Sequence, residues 1–511
     1  MTIQLLRLEA MNMAYIIDDT EDLSTRRSGG YMLLQAIRDI EKEFEKYIMP
    51  ISTGASIGLF SIDNEPSENN LIAQIEDYLA KNKLYRHATF AITVVQGADF
   101  RPLVEQSISN VRWHQMRSLN FTTDWGVSNE ICAIDEIRPA PIYKKHKKEF
   151  SNFSLSVDDR NNEGRQLRQK FYAKEFEKDK NLIENYQLND LLADKAFTND
   201  TESLSKFDQS TAGYEDIPFN LNGKMTIFYA DGNHFGKIQQ ACDDATALHE
   251  WDKEIKAKRC KLLAQLLDYL QSTPLGKTTD KKLRFETLLW GGDEFLFILP
   301  AWLGLEFAQK FFEFTQDWNY TKPLKHSAGL VFASHAAPIS QLQTLAKKLA
   351  DHGKAADRTQ NTLSWIVLES FDHAGDNMAD YWQRNAIKKN GWQKLLLTED
   401  KIKILRNVIT PIKDKLPRSA MVRVIRSMAA GKADEEKELA LLQRSYESVD
   451  DALSDKSRPD FEKLWANLTG NVWDKNPASI PPEDAIAWTT LMELWDYLLP
   501  DAPTTASGAT Q

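Results

Sequence analysis

Apolar and polar positions alternate in two patterns through the amino-terminal part of the chain. Residues 5–16, a segment pair around Gly54 and residues 88–95 have the short apolar runs of buried strands. Residues 30–47 instead repeat apolar positions with the spacing of an amphipathic helix. This succession predicts a small domain of strands and helices, which we place at residues 1–115.

A longer block with the same kind of patterning begins near residue 224. It predicts strands over 225–230, 285–290, 295–299, 328–333 and 363–368, a long helix reaching 269, and helices over 303–318 and 339–352. The order strand, helix, two strands, helix, strand is that of a ferredoxin-like palm. We place this palm domain at residues 216–375.

The remaining segments predict a connector and a helical domain. Residues 116–215 are polar and charge-dense, with helical patterning over 164–179, and we expect a connecting domain there. Residues 376–500 are rich in helix formers broken by prolines, which predicts a helical domain. Residues 501–511 are expected to be a disordered tail.

Composition narrows the class of protein. Lys and Arg number 63 and Asp and Glu 74, so the formal net charge of −11 disfavours coating of duplex nucleic acid and leaves room for a local basic groove. The hydrophobic share of 42% in 511 residues is typical of a globular protein with several domains. Three cysteines, no long apolar segment and no leader-like start predict a cytoplasmic protein without a membrane anchor.

Asp231 stands where the first strand of this palm is predicted to end. A turn containing Gly232 and Gly236 follows, so main-chain N–H groups of residues 232–236 would face an anion such as a triphosphate. The residues of this turn that we assign to nucleotide binding are Asn233, His234, Phe235 and Gly236. Taken alone, the pattern is better explained by an Asp that caps a helix after a strand.

Two more acids, Asp293 and Glu294, lie in a tight hairpin between two apolar strands. In a ferredoxin-like sheet this hairpin lies beside the Asp231 strand, so three carboxylates converge on one rim and repel each other unless a cation neutralises them. We predict a two-metal site for Mg²⁺ or Mn²⁺, which would activate a 3′-hydroxyl and stabilise the α-phosphate and pyrophosphate. A plain hairpin turn is the alternative.

The roles predicted at this rim are as follows. Catalysis is assigned to Asp231, Asp293 and Glu294, metal binding to these three and Gly232, and further nucleotide contacts to Gly291, Gly292 and Lys354. Lys354 follows the helix over 339–352 and could reach phosphates as a point charge, although a solvated lysine explains it equally well. Lys347 and Lys348 are interpreted as a solvated helix face.

These residues resemble a known superfamily. Gly291 to Phe295 spell GGDEF, and the segment from Asp231 to Ile238 is similar to the first motif of GGDEF-like palm polymerases and cyclases. Diguanylate cyclases of this superfamily usually carry an Asn-Asp pair that reads guanine and an inhibitory Arg-x-x-Asp site before GGDEF. The first motif and residues 282–286 here lack both, which disfavours that family.

The better match is the large polymerase-cyclase subunit of type III CRISPR effector complexes, whose second palm resembles residues 231–370. Residues 327–339 carry the strand, histidine and proline found there before a helix, which ends here in Gly353-Lys354 where the family has Ala-Lys. The resemblance implies a metal-dependent nucleotidyltransferase. Its product would be a cyclic oligoadenylate made from ATP with release of pyrophosphate, a second messenger in antiviral defence.

The amino-terminal domain resembles the first palm of that family. Residues 25–34 have its short basic stretch and glycines at the start of a helix, and residues 54–60 align with 291–297. Ser56 and Ile57 replace the two acids. The expected fold is therefore α+β, with two ferredoxin-like palms of which the first is pseudo-catalytic and completes a composite nucleotide site. A coincidental glycine hairpin is the alternative.

Two departures from the family carry expectations of their own. The family commonly has a zinc module between the palms, but only Cys132 stands there, so we expect no structural zinc and a connector held by packing or ion pairs. No His-Asp dipeptide or amino-terminal HD nuclease domain is present in the sequence, so single-strand DNA cleavage is not expected.

The helical domain carries candidate RNA contacts. The basic cluster consists of Lys413, Lys415, Arg418, Arg423 and Arg426, for which a solvated helix face is the commoner explanation. The tryptophans at 465, 473, 488 and 495 are expected to be core residues. The expected partners are ATP or another NTP, guide–target RNA and other CRISPR effector subunits, or a second copy of the chain if it acts alone.

Two other functions stay open at this point. An RNA-binding scaffold subunit of a CRISPR effector complex would have secondary or lost cyclase chemistry, and a diguanylate cyclase would use GTP. The intact acids at 231, 293 and 294 favour the oligonucleotide cyclase.

Overall fold

The computed structural model describes residues 2–54, 56–63, 68–117, 128–146, 149–193, 195–211, 214–215, 217–369 and 395–499. The predicted tail and the first part of the predicted helical domain, residues 376–394, lie outside them. Among the described helices, none combines the length and the apolar content that crossing a bilayer requires.

The amino-terminal domain has the ferredoxin-like topology. Its four-stranded antiparallel sheet has the order β2-β3-β1-β4. The strands are β1 Ile3–Met11, β2 Ile48–Thr53, β3 Ile57–Ile62 and β4 Thr89–Gly97. The helices are α1 Ala14–Ile17, α2 Leu23–Glu43, α3 Glu68–Lys81 and α4 Phe100–Arg117.

Helix α2 begins seven residues before the predicted start at Gly30. The carboxylate of Asp22 accepts a hydrogen bond of 2.9 Å from the Thr25 amide, which caps the helix at its observed start. The basic residues Arg26 and Arg27 therefore lie in the first two turns of α2, and both are almost completely buried. They are structural residues of the interface with the second palm.

The connector contains the hairpin and helices between the two palms. Its elements are β5 Ile142–His146, β6 Glu149–Phe153, α5 Leu155–Glu175, α6 Asn181–Asn185 and α7 Thr201–Ser205. Buried ion pairs tie it to the first palm, as expected for a connector held by packing and charge. Asp19, for example, accepts from Arg160 at 2.7 Å and from Arg138 at 2.5 Å.

The second palm has five strands in the order β11-β10-β7-β9-β8, a ferredoxin-like sheet extended by one strand parallel to β10. Its strands are β7 Lys224–Asn233, β8 Glu286–Gly291, β9 Glu294–Pro300, β10 Lys325–Ser334 and β11 Thr362–Val367. Its helices are α8 Phe235–Gln240, α9 Ala245–Ser272, α10 Gly304–Thr315 and α11 Ile339–Ala356. The single long helix predicted after β7 is divided because Asp244 accepts from the Ala247 amide at 2.8 Å and starts a new helix.

The carboxyl-terminal part is helical. Its helices are α12 Glu399–Lys415, α13 Arg418–Ala429, α14 Glu436–Ala452, α15 Arg458–Thr469 and α16 Ala485–Glu493. All four tryptophans predicted as core residues are buried, which confirms that prediction. Helix α12 packs against α10, where Arg406 pairs with Glu306 at 2.8 Å, so the helical domain is attached to the second palm.

The two palms pack against each other reciprocally. Helix α2 of the first palm lies against β8 of the second, and α9 of the second lies against β2 of the first. At the first contact the Arg27 guanidinium makes two bonds to Glu286, at 2.6 and 2.5 Å. At the second, Asp252 accepts from the Thr53 amide at 3.2 Å. Helix α2 of the first palm therefore helps to fix β8 in the hairpin of the second palm, and α9 of the second palm helps to fix β2 in the hairpin of the first.

Candidate active site at the acidic rim of the second palm

Asp231 and Glu294 are direct cross-strand neighbours. Strand β7 pairs with β9 in antiparallel register, and this register places Asp231 opposite Glu294. Residues opposite each other in a sheet point to the same face, so both carboxylates lie on one side of the palm. Tyr229, two residues before Asp231, is on that face too, and its hydroxyl donates to Glu294 at 3.0 Å.

The third acid lies in the two-residue turn between β8 and β9. Gly292 has φ +56°, a conformation that favours glycine, and Asp293 follows it. The Gly232 amide donates to the Asp293 carbonyl at 3.1 Å, which fixes the turn against β7. A Cβ atom at Gly232 would lie 2.7 Å from the Asp293 Cβ, so a glycine is required for this close approach. The structure thus brings Asp231, Asp293 and Glu294 together.

Helix α11 presents a charged face to this rim. Lys347, Asp351 and Lys354 are spaced four and three residues apart, which places them on one side of a helix. The Lys354 Nζ lies 2.5 Å from the Asp231 Oδ2, and the Lys347 Nζ lies 5.6 Å from the centre of the Tyr229 ring. Lys354 is therefore at the predicted site, and Lys347, expected to be solvated, is beside it.

Burial and mutual repulsion make the acids hard to ionise together. Burial first, and then the neighbouring charge of Asp231, raise the pKa of Asp293 to about 7. Burial also raises the pKa of Asp231, although Lys354 opposes this shift. Full ionisation of the rim near neutral pH thus calls for a cation in addition to Lys354.

The oxygen donors of Asp231 and Asp293 suit Mg²⁺ or Mn²⁺, which prefer hard ligands. Within the described part of the chain, no group of three or more His, Cys, Asp or Glu side chains is arranged to hold a metal ion. Lys354 supplies the positive charge at Asp231, and Glu294 is bonded to Tyr229. A divalent cation at this rim would therefore have to displace Lys354 from the Asp231 carboxylate.

The turn after Asp231 differs from the prediction. Strand β7 continues to Asn233 and pairs there with β10, so the Gly232 amide is already bonded and is not free for an anion. The Asn233 side chain accepts from Ser327 at 3.0 Å, and Phe235 packs against Trp251. The side chains of Asn233 and Phe235 are thus committed to the fold. His234 and Gly236 are exposed at the start of α8.

The first palm has a matching position that the sequence did not reveal. Its β2–β3 hairpin closes with a 2.7 Å bond from the Gly54 amide to the Ile57 carbonyl, and the register pairs Glu9 with Ile57 as Asp231 pairs with Glu294. Glu9 is buried and accepts from Arg7 and Arg112, each at 3.1 Å. Two arginines therefore neutralise this acid within the protein.

The five residues of the predicted basic cluster in the helical domain differ in their surroundings. The Lys413 Nζ donates to the Leu498 carbonyl at 3.0 Å, and burial lowers its pKa, so this lysine is part of the fold. Arg418 pairs with Asp496 at 2.7 Å. Lys415, Arg423 and Arg426 are exposed, and phosphate contact by these three stays a prediction.

Comparison with known proteins supports the assignment of the fold. Residues 224–364 match the family model of the second palm domain of Cas10/Cmr2. A crystal structure of the Csm1-Csm4 cassette in complex with cA4 aligns with a TM-score of 0.51 at 12% identity, covering 97% of this chain and 70% of that one. The same cassette in complex with one ATP aligns at 0.52 with 11% identity, covering 96% and 70%. No curated protein matches the sequence.

Proposed function

We propose that this chain, which is Cas10-like in its second palm domain and in its fold, is a nucleotidyltransferase that joins NTPs, ATP above all, into a cyclic oligonucleotide. The observation that carries the proposal is the rim where Asp231, Asp293, Glu294 and Lys354 meet. Type III CRISPR-like antiviral defence is the setting that the family supports. The Csm1-Csm4 structures with ATP and cA4 support ATP as substrate and a neighbouring effector subunit as partner.

In this reaction the oxygen of a 3′-hydroxyl attacks an α-phosphorus and its proton passes to water, while the bond from that phosphorus to the bridging oxygen breaks and pyrophosphate leaves. A bound divalent cation would supply activation of the hydroxyl and neutralisation of the phosphate charge. Asp231 and Asp293 would hold it, because they are the two half-buried carboxylates that repel each other across β7 and the hairpin. Glu294 is oriented toward the same rim by Tyr229.

Lys354 has two roles in this proposal. It neutralises Asp231 in this structure, and a cation bound by that carboxylate would leave the Lys354 ammonium group available to hold the triphosphate. The first palm would contribute a surface of the nucleotide site without chemistry, because its equivalent acid, Glu9, is already paired with Arg7 and Arg112.

The test is product analysis with the purified full-length chain. It is incubated with each labelled NTP and Mg²⁺ or Mn²⁺, alone and with effector subunits and guide–target RNA, and products are resolved by mass spectrometry. We expect cyclic oligoadenylate and pyrophosphate from the wild type and none from the Asp293→Asn, Glu294→Gln double variant. Asp77→Asn on the exposed face of α3 is the control and should keep full activity.

Other outcomes would assign the chain to the alternatives. Cyclic dinucleotide formed from GTP would identify a diguanylate cyclase. Tight RNA or subunit binding without any oligonucleotide product would favour the scaffold function. Full activity in the double variant would refute the assignment of the acidic rim.

A further inference from the structure

The carboxylate of Glu175 lies at a buried junction of three domains. Glu175 is the last residue of α5 in the connector, and its side chain is only 6% exposed. One carboxylate oxygen accepts from Arg38 of the first palm. The other accepts from the indole N–H of Trp290 in the second palm at 2.9 Å. A single side chain therefore links the first palm to the strand that leads into the acidic hairpin.

A second set of contacts connects this junction to the turn itself. Arg259 of α9 is buried, its guanidinium lies 5.6 Å from the centre of a ring of Trp290, and its Nη1 donates to the Gly292 carbonyl at 3.2 Å. Burial lowers the pKa of Arg259, and Glu175 is the acid that most opposes this shift. The neighbouring Cys260 thiol contacts the Glu175 carbonyl at 3.1 Å.

We propose that Glu175 is a positioning residue that couples the first palm to the acidic hairpin, through Arg38 on one side and Trp290 and Arg259 on the other. The part of this inference that concerns catalysis rests on the proposed cyclase function. Glu175 touches neither metal ligand nor substrate in this scheme. It holds the Gly292–Asp293 turn in place beside Asp231.

The charge of Glu175 is the property that matters. Its carboxylate bonds Arg38 and attracts Arg259 electrostatically, so an amide in its place would keep the shape and lose the attraction to both. Arg259 would then be a buried cation without its strongest favourable partner, and the turn that it holds would loosen. A displacement of about 1 Å at a reacting group can lower a rate by about a hundredfold.

The experiment compares Glu175→Gln with Asp159→Asn in the full-length protein. Asp159 lies on the same helix, about 24 Å from Glu175 at 1.5 Å per residue, and bonds Lys83, Arg86 and His87 of the first palm. Both variants therefore weaken contacts between α5 and the first palm, but only Glu175→Gln also removes a charge that faces the second palm. Hydrogen exchange is measured in peptides covering residues 286–296 and, as an internal reference, 57–62.

We expect the 286–296 peptide to exchange at least tenfold faster in Glu175→Gln and at the wild-type rate in Asp159→Asn, with the 57–62 peptide unchanged in both. The rate of oligonucleotide formation should fall at least tenfold in Glu175→Gln while the KM for ATP changes little. Arg38→Lys, which keeps the charge, should retain most of the rate, and Arg38→Met, which leaves the Glu175 charge beside Trp290 and Arg259, should lose less of it than Glu175→Gln.

Equal hairpin exchange in Glu175→Gln, Asp159→Asn and the wild type would overturn the proposal. The exchange measurement separates it from the proposed function, because it does not depend on activity. A wild type without product combined with faster exchange in Glu175→Gln would reject the cyclase function and keep the positioning role.

Discussion

His326 is a histidine that the folded chain keeps neutral. Its side chain is completely buried among Phe235, Phe295, Phe311 and Trp318, and neither ring nitrogen has a hydrogen-bond partner among the described residues. Burial lowers its pKa from 6.5 to about 3. Protonation is therefore much easier in the unfolded chain, so acid favours unfolding through this residue.

The pH window of this effect follows from the two pKa values. The contribution of His326 to stability is complete above pH 6.5 and decreases as the pH falls from there toward 3, by about 1.4 kcal/mol per pH unit. Between pH 7 and pH 5 the wild type should lose about 2 kcal/mol more than His326→Phe. Denaturant unfolding at the two pH values measures this difference, and an identical loss in both proteins would show that His326 does not stay neutral.

Lys354 competes with a cation for Asp231. Replacing it by methionine removes the ammonium group at 2.5 Å, so Mn²⁺ should bind Lys354→Met several-fold more tightly than the wild type, whereas ATP should bind more weakly. The rise of Tm with added MnCl₂ tests the prediction for Mn²⁺, and the ATP affinity measured by calorimetry tests the prediction for ATP. Lys348→Met on the same helix is the matched control, and an equal response to Mn²⁺ in both variants would contradict the competition.

The turn of the acidic hairpin requires a glycine at position 292 because of its backbone conformation. Gly292 has φ +56° with open space around it, so an alanine there has room for its Cβ but adopts a strained backbone. Gly292→Ala should cost about 1–2 kcal/mol. Gly236→Ala, with equally open space and a position inside helix α8, should be neutral or slightly stabilising. Thermal unfolding of both variants is the measurement, and equal effects would mean that the turn relaxes.

The elements of the second palm were largely predictable because their signals are local. Two apolar runs separated by a glycine turn indicate a hairpin, and the sequence alone predicts Asp293 and Glu294 at this hairpin. The approach of Asp231 followed from the ferredoxin-like order, and the observed register confirms it. Two helix boundaries differ from the prediction, the start of α2 and the break before α9. Each depends on a single capping aspartate, Asp22 or Asp244, whose effect is short-ranged.

Partners of charged residues were the features that the sequence could not predict. Arg27 was expected only as part of a basic stretch, and its partner Glu286 lies 259 residues away in the chain. Glu9 and Lys413 likewise obtain their roles from partners far along the chain, Arg112 and Leu498. Glu175 obtains its role from contacts between domains, and no local pattern encodes any of these contacts. The sequence therefore predicts where charges cluster along the chain, and the tertiary fold decides which of them remain available for ligands.

At the scale of the whole molecule, a second buried carboxylate besides Glu175 joins the two palms and the connector. Glu286 on β8 accepts from Arg27 of the first palm at 2.5 Å and from Arg168 of the connector at 2.9 Å. The side chains of Glu286 and Arg27 are each 1% exposed. Since charges removed from water are stable only when paired, the arrangement of the domains depends on this triad.

The triad predicts an asymmetry between two substitutions. Glu286→Gln leaves two buried arginines without a carboxylate and should cost about 3–5 kcal/mol of unfolding free energy. Arg27→Met should cost less, because Glu286 keeps Arg168 as a partner and the methionine refills most of the space. Lys81→Met, which removes the exposed pair of Lys81 with Asp77, should change stability by less than about 0.5 kcal/mol. Denaturant midpoints of the three variants give the order of their stabilities. A larger loss of stability for Arg27→Met than for Glu286→Gln would show that Glu286 is not the shared counterion.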